Sequence, residues 1–332
     1  IILNKQNVIE MINFSKFYIF SYLSCLTNNG LLEIFTKEYS KWTSIISITE
    51  LWNSYCNDVF NVQDFDTDDL NTKMLDLKIS GMKWFLDFQP YFITFHKNGI
   101  ICFWKISKIN KHLKIEVDNW ISTDIKLCTF NVYTFPNSKC AILLVGSLSG
   151  VVKILLISLN SLEILFNLTL WDKEDLIAPS KITASFFKGK ILVHVIKRHI
   201  LLMYVLAVNS SNEIEINKTK WVKFSCIISG IIENENTVIL NLQNHQMYSL
   251  YLKDLDLNYN ITEINVQIKQ KYKSSYNNYG LAASKNKAIW VTVSSPKMIY
   301  ESVKDTTHLN FWTTNIKQYK CLCNSTSCGL IN

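Results

Sequence analysis

His96-Lys97-Asn98-Gly99-Ile100-Ile101-Cys102-Phe103-Trp104 reads HKNGIICFW, a polar turn that opens directly into a dense apolar run. Asn-Gly ahead of such a run is a strong hairpin signal, because both residues tolerate positive φ and the resulting turn matches the twist of the strands it joins. Phe92 to Trp104 therefore reads as one hairpin. The same move recurs at Asn29-Gly30 before LLEIF and at Ser149-Gly150 before VVKIL. Eroded forms stand at Arg198-His199, Asn244-His245 and Asn286-Lys287.

From Gly99 onward the turns are spaced by 51 residues at first and 42 at the last, near the roughly 40–45 of a four-stranded propeller blade. The interval between Gly30 and Gly99 is longer. Residues 56–77 account for it: Asp58, Asp64, Asp66, Asp68, Asp69 and Asp76 read as an acidic insertion on an exposed blade loop. No helix-period segment of convincing length interrupts the pattern, and β-branched and aromatic residues dominate. The expected fold is all-β, a WD40-like β-propeller of six to seven four-stranded blades, incomplete at the N-terminus. A pair of β-sandwiches is the rival architecture. Residues 1–300 are assigned to the propeller and 301–332 to a tail, with a seventh blade completed upstream of Ile1 or after Pro296. The chain starts at Ile1 rather than Met and reads as a fragment.

Composition narrows the setting. Hydrophobic residues make up 48% of 332 and aromatics 13%, with 9 Gly and 4 Pro, which is globular rather than linker material. The net charge of +7 comes almost wholly from Lys, Arg198 being the one Arg, and an Asn- and Lys-rich bias of this kind points to an AT-rich coding sequence more than to a nucleic-acid site. Of 9 Cys, Cys25, Cys102, Cys128, Cys140 and Cys226 lie in apolar runs, as free thiols do in a reducing compartment. Ala141–Ile157 and Ile191–Val208 are apolar enough to suggest membrane spans. Each has turn residues or charges at its centre, and each reads as two buried strands around a turn, so no membrane contact is expected.

Candidate chemistry is sparse. Cys321, Cys323 and Cys328 with His308 resemble zinc ligands, but the Cys-x-Cys spacing is not that of a usual knuckle. His194 and His199 read as core or turn histidines. Gly146 and Gly150 serve a hairpin rather than a nucleotide. Lys269, Lys271 and Lys273 alternate with Tyr272 and Tyr276 in a pattern suited to single-stranded nucleic acid or to a solvated loop. Trp171-Asp172-Lys173-Glu174-Asp175 sets carboxylates beside an aromatic, with no nucleophile near. Trp171, Asp172, Glu174 and Asp175 are read as a partner-contact patch. No catalytic, cofactor-binding or metal-binding residue is assigned.

In order along the chain, IKLCTFN (Ile125–Asn131), LLVGSLSGVVKILLISL (Leu143–Leu159), LWDKEDLIAPSKI (Leu170–Ile182) and YGLAASKNKAIWVTVSSPKMI (Tyr279–Ile299) resemble the N-terminal propeller of the transcription factor IIIC delta subunit family, which is associated with histone acetyltransferase activity. The resemblance implies a nuclear subunit of the RNA polymerase III machinery. It would join promoter-bound subunits to the initiation factor and polymerase, and touch DNA only through the complex. The family continues into a C-terminal zinc-binding region that lies outside these residues. No acetyl-CoA-type Gly-rich turn occurs here. An acetyltransferase and a generic WD40-like adaptor remain as alternatives to the scaffold reading.

Overall fold

The computed structural model describes residues 9–17, 20–38, 41–59, 78–85, 91–109, 112–134, 139–209, 213–234, 236–264, 276–283, 289–296 and 308–313. The chain forms two compact units, Ile1–Ala178 and Pro179–Asn332.

The first unit holds three four-stranded antiparallel sheets, each built from consecutive strands. They are Ile9–Phe17, Phe20–Thr27, Leu32–Glu38 and Lys41–Ser47 (β1–β4); Ile79–Phe85, Tyr91–His96, Ile100–Ile109 and His112–Ser122 (β5–β8); and Leu127–Thr134, Cys140–Ser147, Val152–Ser158 and Ile164–Trp171 (β9–β12). The second unit repeats the plan with Lys181–Phe187, Lys190–Lys197, Ile200–Val208 and Ile214–Lys223 (β13–β16), then Ile228–Asn234, Thr237–Leu242, Met247–Leu252 and Tyr259–Ile264 (β17–β20). Its last sheet has three described strands, Tyr276–Ala283, Ile289–Pro296 and His308–Thr313 (β21–β23).

Burial follows strand position. All of β6 is buried, as is β10 from Ala141 and β14 from Ile191, because middle strands pack on both faces and so read as mainly apolar runs, with Thr94, His96, Ser147, His194 and Lys197 buried among them. Fourth strands are the outer edges; β16 is mostly exposed and β12 is exposed at half of its residues. First strands of neighbouring sheets meet, and polar side chains tie them. Lys83 of β5 donates to the Asn131 side chain and, at 3.2 Å, to the Val132 carbonyl of β9. In the other unit the Thr183 hydroxyl of β13 donates to Glu233 of β17 at 2.6 Å.

The quoted turn is a bulged hairpin: the Gly99 amide donates to the His96 carbonyl at 3.0 Å, with Gly99 at φ 102°. Gly30 and Gly150 repeat this bond between β2 and β3 and between β10 and β11, at φ 85° and 103°. Phe35, Trp104 and Leu155 accordingly fall on third strands. His245 takes the glycine's place between β18 and β19 at φ 68°, which identifies Asn244-His245 as a diverged copy of the same turn. Asn286-Lys287 is not a copy. Residues 284–288 lie outside the described residues, but they fall between the first and second strands of their sheet, one hairpin too early.

Three further expectations need correction. Residues 48–59, Ile48–Val59, form a helix, α1, where none was anticipated. Ile48, Trp52 and Cys56, spaced by four, are buried. The Ser47 hydroxyl caps the Glu50 amide at 3.3 Å, and the Trp52 ring lies 4.3 Å from that of His96 and 6.2 Å from that of Trp104. Asn, Tyr, Trp and Cys are weak helix formers, so tertiary packing rather than propensity makes this helix. Residues 56–59 of the expected acidic insertion are thus helical, and residues 60–77 lie outside the described residues. Asp58 is exposed on α1, and Asp64, Asp66, Asp68, Asp69 and Asp76 lie outside the described residues. The sixth sheet also reaches past residue 300, since β23 pairs with β22 from Ile289↔Thr313 to Ser294↔His308. Within the segment after Pro296, His308–Thr313 thus belongs to the sixth sheet.

Candidate functional site

Strand β12 ends the third sheet at Trp171, which pairs with Val152 beyond a bulge. The next residues form a loop whose shape comes from short-range bonds. The Trp171 indole donates to Asp175 Oδ2 at 3.3 Å, while Asp175 Oδ1 accepts the Ile177 amide at 2.9 Å. The Leu176 amide reaches the Ser149 carbonyl at 2.9 Å, anchoring the loop to the β10–β11 turn. The Lys173 ammonium stands 5.5 Å from the Trp171 ring centroid.

Of the four residues singled out from the sequence, Trp171 ends β12 and Asp172, Glu174 and Asp175 lie in the loop that follows, with Trp171 and Asp175 bonded to each other. Asp172 and Glu174 are exposed beside them. The most prominent group is one that sequence reasoning passed over. Leu176 is 81% exposed at φ 56°, and Leu148 of the neighbouring turn is 41% exposed. Leu176 sits in a loop, outside any alternating pattern, between Asp175 and Pro179, and that was its only signal. The exposed loop carries one large apolar side chain, Leu176, directly after Asp172, Lys173, Glu174 and Asp175 in sequence.

The other candidates resolve into structure. His194 is buried; its Nδ1 meets the Glu233 carboxylate and its Nε2 the Tyr259 hydroxyl at 2.9 Å. Burial, reinforced by the Glu233 charge, raises the Tyr259 phenol above its ordinary value. This network ties the β13–β16 sheet to the β17–β20 sheet. His199 lies in the β14–β15 turn, where its carbonyl accepts the Phe224 amide at 2.8 Å. Among the described residues no three His, Cys, Asp or Glu stand close enough to hold a metal. Cys321, Cys323 and Cys328, like Lys269, Lys271, Tyr272 and Lys273, lie outside the described residues, and of His308 only its place in β23 is described. No described helix is long and apolar enough to cross a membrane. Ala141–Ile157 and Ile191–Val208 are each two strands around a turn.

Consecutive four-stranded sheets, with their first strands meeting within each unit and their fourth strands at the edge, define a β-propeller. The family comparison is specific: residues 20–315 match the transcription factor IIIC subunit delta β-propeller domain, and the chain belongs to that family. It is thus a propeller of a multi-subunit transcription factor. No curated protein matches the sequence. Among solved structures, the chain is similar to BBS1N, crystallised in complex with ARL6DN and soaked with lead, at 9% identity and a TM-score of 0.55, covering 93% of this chain and 80% of that one. The mercury-soaked crystal of the same complex gives 10% identity and a TM-score of 0.49 over 92% and 74%. The computationally designed Ika8 protein gives 10% and 0.46 over 95% and 73%. At such identities the first of these speaks to the fold alone.

Proposed function

We propose that the chain is a docking scaffold of transcription factor IIIC, acting in the nucleus to hold promoter-bound subunits to the RNA polymerase III initiation factor and polymerase. Trp171 to Leu176 is one of its contact patches, and DNA is met only through the complex. The observation that carries this reading is Leu176, 81% exposed on a loop already fixed by hydrogen bonds. A large apolar side chain on a preorganised loop docks with little loss of chain entropy, and a charged rim excludes mismatched partners. Trp171 shapes the loop; Asp172, Glu174 and Asp175 supply the rim.

The test is co-purification of the full chain with the other complex subunits. Leu176→Asp is expected to lower recovery about ten-fold with unchanged melting, as loss of an interface anchor does. The double variant Trp171→Ala, Asp172→Ala is expected to act in the same direction by releasing the loop. Undiminished recovery with Leu176→Asp overturns the patch. Transfer of acetyl groups from acetyl-CoA to histone peptides by the purified chain overturns the non-catalytic scaffold.

A further inference from the structure

The fourth strands differ in how they protect their free edge. An unpaired edge invites another strand, and charged side chains along it are a common defence. Strand β4 carries Lys41, β8 carries Lys114, Glu116 and Asp118, β16 carries Glu215, Lys218, Lys220 and Lys223, and β20 carries Glu263. Strand β12, Ile-Leu-Phe-Asn-Leu-Thr-Leu-Trp, carries no charge. Among the described residues it pairs with β11 alone, leaving its outer side open.

Two bulges bound the usable stretch. Leu165 and Leu170 are skipped in the pairing with β11, whereas Phe166 to Thr169 pair without interruption with Leu156 to Lys153. Ile164 and Leu165 are 38% and 48% exposed beside that stretch, and Asn167 and Thr169 are exposed within it. Charge stands at both ends and is mainly acidic: Glu163 before the strand, Asp172, Glu174 and Asp175 after it, against Lys173.

We propose that the outer edge of β12 receives an extended segment of a partner subunit by strand addition, and that this segment has an apolar or β-branched centre flanked by basic residues. Main-chain hydrogen bonds over Phe166–Thr169 supply affinity, the bulges fix register, and the acidic ends select basic flanks. The proposal rests on the scaffold reading, but its site is the strand edge rather than the loop.

The edge is tested in two ways on the full chain. The first is hydrogen–deuterium exchange of Phe166–Thr169 amides, alone and assembled with the other subunits. Assembly should slow exchange at least about ten-fold, and Asn167→Lys with Thr169→Lys should abolish that protection at unchanged melting. If the double variant melts early, Thr169→Lys alone is used. The second is binding of a synthetic peptide of alternating Val and Thr with two Lys at each end, compared with the same peptide ended in Glu. The Lys-ended peptide should bind about ten-fold tighter. Equal or absent binding of the two peptides overturns the proposal. So does protection that appears with rising concentration of the isolated chain together with a dimeric mass, since the occupant is then a second copy. If assembly leaves these amides unprotected while Leu176→Asp still strips co-purification, the edge fails and the scaffold stands. If the chain never assembles with those subunits, the scaffold fails, and the peptides alone judge the edge.

Discussion

Gly99→Ala and Gly189→Ala form a matched pair that tests whether the quoted turn is held by its surroundings or only by its backbone angle. Both glycines have positive φ, 102° and 76°. A Cβ at Gly189 meets nothing within 4 Å, whereas one at Gly99 falls 2.6 Å from the Ile125 carbonyl oxygen and 3.1 Å from Thr123 Oγ1. The backbone term is about 1–2 kcal/mol for either alanine. Gly99 carries a second term. Its own carbonyl accepts the Thr123 amide at 3.0 Å and the Thr123 hydroxyl at 2.9 Å, and the Leu127 amide donates to Lys97 at 3.0 Å. Relieving the clash means moving residues 123–127 and giving up at least one of these bonds, at about 1 kcal/mol each, with a further ~1 kcal/mol for a donor left buried. Gly99→Ala is therefore expected to cost about 3–4 kcal/mol against 1–2 for Gly189→Ala, separating their melting points by roughly 4–8 °C for units of this size. Thermal melts followed by circular dichroism measure the difference. Equal shifts, or a Gly99→Ala protein that melts with the wild type, would refute the claim that the turn and the β8–β9 connection are locked together.

Other outcomes follow from burial. Burial drives the Cys56 thiol up to about 12, and Cys102 is raised by burial and then by Cys56, so iodoacetamide at mildly alkaline pH should modify the partly exposed Cys128, Cys140 and Cys226 long before Cys25, Cys56 or Cys102, as peptide mass mapping will report. The Tyr91 phenol is raised by burial and by its 2.7 Å bond to Asp118, and Tyr259 by burial and Glu233. Because both are raised in the folded state, the stability they contribute is complete below about pH 10 and is lost as pH climbs from there toward their folded values. Phenolate absorbance should therefore show delayed ionisation of these two, with the melting point falling over the same alkaline range. Trp52→Ala, which empties the fully buried face of α1, should cost about 3–5 kcal/mol, measured by urea unfolding; a loss under 1 kcal/mol would mean the helix is a surface appendage.

The repeat was legible because a bulged turn demands one special residue. Three of its copies carry Gly at the positive-φ position, and glycine is conspicuous in a chain with only 9. Where His245 fills that position, the strained conformation is held by context. Its Nε2 bonds to the Tyr276 carbonyl at 3.0 Å, and only its neighbours in sequence hinted at the turn. Asn286-Lys287 shows the opposite failure, a polar break of the right composition one hairpin out of place. Polar residues mark that a chain turns but not which pair of strands it joins. Helix α1 escaped because its buried face is only Ile48, Trp52 and Cys56, too brief for a period to rise above strand-like composition, and its stability comes from His96 and Trp104, more than forty residues on.

The loop from Asp172 to Leu176 shows where composition stops informing. Trp171 among carboxylates suggested an aromatic anchor with a polar rim, yet an indole has one donor, and here that donor is used inside the loop on Asp175. With Lys173 over its ring, Trp171 is better equipped to hold a shape than to fill a partner's pocket. The group left outward is Leu176, whose amide is tied to Ser149 and whose side chain meets water. Sequence separates residue types; it does not say which of two adjacent apolar groups the backbone turns inward. That choice depends on a positive φ at Leu176 and on a hydrogen bond to a turn far back in the chain. In the proposed docking role, the leucine is therefore the group offered to a partner, and the tryptophan acts through the shape of the loop.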